Sequence, residues 1–221
     1  MSSDSLPHHP DPTDLLAVLR DGNRRFQRGE RLDRDLEGEV IATADGQRPP
    51  MAIVSCIDSR TAPELVFDLG IGEAFDIRLA GAIVDDAALG SLEYACGAAG
   101  AVLLLVLGHT GCGAVKAACD VANGIDVAGE SLRHLPAVVE PILKAVEAET
   151  ETVEDRSSGN GVFVDRVATL NVHRTMMEIR DRSMLLGDLE RSGRIRIAGA
   201  MYDVASGEVG WLEPGEISKT G

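Results

Sequence analysis

Aromatic side chains are scarce in this sequence: one tryptophan, two tyrosines and four phenylalanines make up 3% of its 221 residues. Its core must therefore be filled by Val, Leu, Ile and Ala, which supply most of the 44% that is hydrophobic. Aliphatic runs of this kind suit a mostly parallel sheet buried on both faces by helices. Positive charge is also short, because 21 Lys and Arg stand against 36 Asp and Glu, for a net charge of -15. An acidic surface repels a phosphate backbone, so no nucleic-acid partner is expected. Long apolar runs are missing too. The alanine-rich stretch 98–107 falls short of the roughly 18 residues of a membrane span, so no membrane partner is expected either. The opening MSSDSLPHHPDPTD has neither a basic start nor an apolar run. No signal peptide is expected there, and the implied location is cytoplasmic. In that compartment the four cysteines stay reduced, and metal binding or catalysis is a better use for some of them than disulfides.

What is present points to one α/β domain over residues 13–221, preceded by a polar, proline-rich arm at 1–12 that reads as disordered. A helix is expected from Thr13-Asp14 to Gly29, with Leu15, Leu16, Val18, Leu19 and Phe26 as its apolar stripe. Residues 30–47 read as mixed helix and loop. Strands are expected at 51–55, 74–79, 101–107 and 194–201, with a short fifth at 208–212 joined to the fourth by a turn at 203–207. Helices are expected at 89–99, 114–122 and 135–149, the last with two prolines near its start, and one long helix or two at 165–189. Residues 150–161 read as a loop. Alternating strands and helices imply about four parallel strands with right-handed crossovers and a short antiparallel edge strand. In such sheets the chemistry collects at the carboxyl ends of the strands.

Two of those ends carry unusual residues. The first strand runs into Cys56-Ile57-Asp58-Ser59-Arg60, and the third into Gly108-His109-Thr110-Gly111-Cys112-Gly113. A lone cysteine is usually a small core residue, and His-x-x-Cys alone is a weak signal. Brought together at adjacent strand ends, Cys56, His109 and Cys112 make a two-sulfur, one-nitrogen set suited to tetrahedral zinc. Three protein ligands leave a fourth position open, as in catalytic sites. Cys96 and Cys119 have no paired motif and read as core. His8 and His9 fall in the arm, and His134 and His173 read as structural or exposed.

The segments CIDSR and GHTGCGAV resemble the two zinc-binding signatures of the β-carbonic anhydrases. Asn23-Arg24-Arg25-Phe26 with Gly29, Pro63-Glu64, Gly72-Glu73-Ala74-Phe75, Leu92-Glu93-Tyr94-Ala95 and Gly199-Ala200-Met201-Tyr202-Asp203 are also similar to that family, so the likeness runs from about residue 14 to 212. The resemblance implies one zinc per subunit on Cys56, His109 and Cys112, and reversible hydration of carbon dioxide to bicarbonate by zinc-bound hydroxide. It implies that Asp58 orients the nucleophile and that Arg60 keeps Asp58 ionised. Gln47, nine residues before Cys56, matches a substrate-binding amide. Phe75, Ala80 and Tyr94 match the lining of an apolar pocket. The family also implies a homodimer or homotetramer, with the N-terminal helix extending to a partner subunit. From the residues alone, the apolar stripe of that helix could equally pack on the chain's own sheet.

The sequence departs from the family after Phe75. Leu79 and Ala82 stand where two asparagines are usual, and Ile57 is bulkier than the small residue common there. A more apolar site keeps two other readings open: hydrolysis of carbonyl sulfide or carbon disulfide on the same metal, or a non-catalytic zinc-stabilised module that senses bicarbonate. Asp58 could also close the site as a fourth ligand. Ile53 replaces the tryptophan of a regulatory bicarbonate site found in one subgroup. Hydration rates should therefore fall hyperbolically with added bicarbonate, and a sigmoidal fall in a steady-state titration would contradict this.

Overall fold

The computed structural model describes residues 11–212. Its centre is a five-stranded sheet in the order β2-β1-β3-β4-β5. The strands are β1 (Met51–Ser55), β2 (Ala74–Arg78), β3 (Leu103–His109), β4 (Arg196–Tyr202) and β5 (Val209–Leu212). The first four are parallel, and β5 returns antiparallel to β4. Every residue of β1 and β3 is buried. This is why both read as unbroken aliphatic runs.

Helices cover both faces: α1 (Pro12–Arg28), α2 (Leu36–Thr43), α3 (Pro63–Val66), α4 (Asp86–Glu93), α5 (Gly113–Ala122), α6 (Pro136–Ala148), α7 (Gly161–Arg182) and α8 (Met184–Arg191). Strand alternation sorts the core. Ala52, Val54, Leu104 and Val106 pack with residues of α4, α7 and α8, whereas Met51, Ile53, Leu103 and Leu105 pack with α1 and α3. A third cluster joins α5, α6 and α7 beside Cys56 and Cys112.

Leu15, Leu16, Leu19 and, in part, Phe26 of the α1 stripe pack on the chain's own sheet, whereas Val18 is exposed. A side-chain carbon at Gly22 would lie 1.9 Å from the Phe67 carbonyl oxygen, so only glycine permits this approach. Asn23 ties the helix down: its Nδ2 donates to the carbonyls of Val66 and Gly207, and its Oδ1 accepts from the Val209 N–H. The helix starts earlier than expected, because Asp11 caps it by accepting from the Thr13 N–H and Pro12 opens it. The rest of the expected arm lies outside the described residues.

Other differences are local. Helix α3 is a single turn that no periodicity reveals. The expected helix over 89–99 begins at Asp86 and widens into a π turn at Tyr94–Ala98. Pro141 sits inside α6 and not at its start. The stretch 165–189 is two helices, broken where Ser183 accepts from the Leu186 N–H and caps α8. His173 is buried on α7. Among the described residues no helix is long and apolar enough to cross a membrane.

Edge strand β2 carries an unusual carboxyl. Asp76 Oδ1 is buried without a hydrogen-bond partner. Burial, reinforced by Glu64 and opposed by Arg78, pushes its pKa up to about 7. The folded protein therefore holds a proton that the unfolded chain releases near pH 4. Stability falls as pH rises between those values, and the penalty is complete above pH 7. Asp76→Asn should stabilise the protein by roughly 1–3 kcal/mol at pH 8 and change little at pH 4, read from thermal melts at both pH values.

Candidate metal centre

The sheet reverses direction of growth at β1, with β2 added on one side and β3 on the other. A crevice opens at such a switch point, beyond the carboxyl ends of the strands. Cys56 follows β1 directly, and His109 is the last residue of β3. Gly111, at φ 63, turns the chain back so that Cys112 rejoins them at the start of α5. The ligand atoms of Cys56, His109 and Cys112 lie within 4.8 Å of one another, and all three residues are buried. The two sulfurs are 4.0 Å apart.

The donor set is poised for a cation. His109 Nδ1 faces the Thr110 carbonyl at 3.0 Å. A carbonyl only accepts, so Nδ1 carries the proton and the Nε2 lone pair is free. Nε2 is buried with no hydrogen-bond partner. Interaction with Cys112, helped by His109 and the Gly81 N–H, lowers the Cys56 thiol to about 4. Proximity to Cys56 and burial push Cys112 the other way, so without a cation the pair shares a proton. Burial opposes a charge on His109, but Cys56 and Asp58 raise its pKa above the ordinary value. Two sulfurs and one imidazole nitrogen, converging on an orphaned lone pair, fit zinc. By contrast, burial alone pushes Cys96 up to about 11, and burial chiefly does the same to Cys119.

Asp58 and Arg60 lie at the rim. Arg60 Nε and Nη2 grip the two carboxylate oxygens at 2.9 and 2.7 Å. These bonds hold the Asp58 carboxyl far below the usual range, against the cost of its partial burial. Asp58 Oδ2 stands 4.0 Å from His109 Nε2. Both carboxylate oxygens bond the arginine. Ile57 is exposed.

The remaining expected site residues divide. Ala80 belongs to the 3₁₀ turn Ala80–Ala82 next to the ligands, where the neighbouring Gly81 N–H donates to Cys56 Sγ at 3.3 Å. Gln47, Phe75 and Tyr94 line a separate cavity of about 560 Å³ along β2 and α4, with Asp76, Ile77 and Ser91. The two aromatic rings meet edge to face at 6.3 Å there. Neither Asp58 nor any of the three ligands lines that cavity. Within one chain, the expected substrate amide and the metal ligands are therefore not brought together.

Several supports escaped the sequence reading. Arg78 donates to the carbonyls of Cys56 and Asp58 at 3.0 and 2.7 Å, which fixes the first loop. Asp165 of α7 accepts from the Gly111 N–H at 2.7 Å and fixes the second. Asn171 of α7 donates to the Gly81 carbonyl at 2.7 Å. Arg78 directly precedes Leu79, where the sequence departs from the family, but nothing in the sequence marks Asp165 or Asn171 as more than polar residues of a helix.

A carbonic anhydrase family model matches residues 51–209. A carbonic anhydrase of Mycolicibacterium smegmatis is 33% identical over 201 residues, which span 90% of this chain and 92% of that protein. Among solved structures, the β-carbonic anhydrase CcaA superimposes with a TM-score of 0.69 at 20% identity, over 91% of this chain and 92% of the other. One of two tetrameric β-carbonic anhydrases from Sordaria macrospora gives 0.66 at 19% identity, over 91% and 93%.

The donor geometry makes a direct demand on metal binding. Cys112→Ser removes one of three converging donors and should weaken zinc binding by more than about 100-fold, beyond the usual effect of an outer partner. Competition against a chromogenic chelator measures this, and unchanged affinity would contradict the assignment.

Proposed function

The chain belongs to the β-carbonic anhydrase family and is a carbonate dehydratase, and from that premise we propose that it interconverts carbon dioxide and bicarbonate at a zinc site made by Cys56, His109 and Cys112. The observation that carries this reading is the convergence of those three ligand atoms within 4.8 Å around an unpartnered His109 Nε2. Zinc held there supplies a fixed positive charge that makes water acidic near neutral pH.

The chain's own residues do the rest. Asp58 stays ionised because the Arg60 fork occupies it, so it can only accept a hydrogen bond. It accepts from the attacking water and aims an oxygen lone pair at the substrate carbon. Arg60 sets the direction of that carboxylate and holds it off the metal, which keeps the site open. Gln47 donates its amide N–H to a substrate oxygen. Phe75, Ala80 and Tyr94 exclude bulk water and admit a small apolar molecule.

Gln47, Phe75 and Tyr94 sit in a cavity apart from the ligands of their own chain. In this reading they serve the centre of a second protomer, and the working enzyme is a homodimer or homotetramer with one zinc per subunit. A tetrameric relative supports assembly. Tyr94, at 59% exposure, and Ile57, at 61%, are apolar surfaces suited to such a contact. The unit that assembles is a single domain over residues 13–221, working in the cytoplasm.

Leu79 and Ala82 replace family asparagines, which keeps the sulfur substrates in view. Leu79 packs into the apolar clusters, so its side chain lends the site no hydrogen bond. Stopped-flow hydration of carbon dioxide by the zinc-loaded protein, beside a carbonyl sulfide assay, decides between them. Hydration should be fast and should drop about 100-fold or more in Asp58→Ala. Sulfide release without hydration would move the activity to carbonyl sulfide. Neither activity, with zinc tightly bound, would make the centre a structural or sensing module.

A further inference from the structure

The two sulfurs of the centre are supported in different ways. Cys112 is the N-cap residue of α5, and its Sγ takes no capping hydrogen bond from that helix. Cys56 Sγ receives the Gly81 N–H at 3.3 Å, from a turn closed by a single bond of its own, the Ala82 N–H to the Leu79 carbonyl at 2.9 Å. Gly81 at φ 76 and Ala82 at φ 53 are consecutive left-handed residues. An alanine avoids that region because its Cβ crowds the carbonyl, and Ala82 stands where the family carries an asparagine, which tolerates it better.

The turn is clasped from outside by one face of α7. Asn171 Nδ2 donates to the Gly81 carbonyl at 2.7 Å. Thr175 Oγ1 donates to the Ala82 carbonyl at 3.1 Å, and Arg182 Nη1 to the Val84 carbonyl at 3.1 Å. Asn171 and Thr175 are only 4% and 3% exposed. Water therefore cannot replace these bonds at little cost. Of the three, Asn171 alone grips the residue whose N–H reaches the ligand sulfur.

We propose that Asn171 is a positioning residue of the metal centre: by holding the Gly81 carbonyl it keeps the Gly81 N–H on the Cys56 sulfur and so limits the charge that this thiolate passes to the ion. The proposal rests on the reading of Cys56, His109 and Cys112 as metal ligands. A hydrogen bond to a ligating thiolate draws electron density from sulfur, and partners beyond the ligands tune both affinity and acidity of a bound metal. Two thiolates on one zinc make such restraint useful, because each added donor weakens the ion as a Lewis acid. Asn171 needs no contact with substrate to act in this way.

Cobalt(II) in place of zinc gives the readout, since sulfur-to-cobalt charge-transfer bands report how strongly each thiolate donates. Asn171→Asp keeps the shape of the side chain and removes its donor; Asn171→Ala removes both. In each, the band should move to longer wavelength, because the freed thiolate donates more strongly to the ion. Thr175→Val deletes a comparable buried bond to the next residue and should lower the melting temperature without moving the band. An unmoved band in the Asn171 variants, or the same displacement in Thr175→Val, would overturn the proposal. Should the Asn171 variants fail to fold, cadmium-113 NMR of the wild-type protein must show the Gly81 amide proton coupled to the metal through Cys56, and absence of that coupling refutes it. A wild-type cobalt spectrum with no thiolate band would remove the metal reading itself. A normal wild-type band that ignores Asn171 removes only the proposal.

Discussion

The parallel pairing of β1 with β3 is the constraint from which the rest of this molecule follows. Five residues are in register, from Met51 beside Leu103 to Ser55 beside Leu107. That register places Cys56 level with the end of β3, where His109 stands. A slip of one residue would turn every side chain of β1 to the opposite face and carry Cys56 away from its partners. Register is in turn set by burial. Ala52 and Val54 belong to one apolar cluster and Met51 and Ile53 to another, and neither set can exchange for the other without disrupting both. The precision of the metal centre is therefore inherited from aliphatic packing well below it.

Around that centre, buried and exposed groups divide the labour. The ligands are nearly dry, and a bare thiolate in such a place is costly unless it is hydrogen-bonded or bound to a cation. The Gly81 N–H reaches the Cys56 sulfur and offsets part of that cost. The charge that faces solvent is kept in the Asp58–Arg60 pair, in which the arginine side chain is 51% exposed and that of the aspartate 18%. In this arrangement the arginine needs little desolvation, and the cost of burial falls on the carboxylate that it directs. Arg78 and Asp165 then fix the two loops, so the three donor residues are held by contacts from outside the set.

Much of this was legible in the sequence because it is local. The strands β1 and β3 are short aliphatic runs bounded by proline or glycine, and the ligand segments follow them without interruption. Element boundaries were harder wherever a single residue decides them. Ser183 ends one helix and caps the next, but in sequence it is one more polar residue in a helical stretch. Asp11 caps α1 from within a segment whose composition reads as disorder. The least legible features are long-range. Asn171 and Gly81 are 90 residues apart, and a buried asparagine on an amphipathic helix looks like part of its solvent face until the partner strand end is in place. Gln47, Phe75 and Tyr94 were singled out by resemblance, and their grouping along edge strand β2 is a matter of which side of the sheet each segment reaches.

The ligands come from two segments whose first and last members, Cys56 and Cys112, are 56 positions apart. In the unfolded chain only His109 and Cys112 are close enough to chelate together, and two donors hold a cation weakly. The third donor arrives when a non-local parallel pairing forms, and such pairings close late because the loop entropy must be met first. A cation held by all three would thus be captured by the nearly finished fold and would contribute little to nucleating it. It would join the ends of the two central strands and slow their separation, so that its hold on the protein would be expressed mainly as resistance to unfolding.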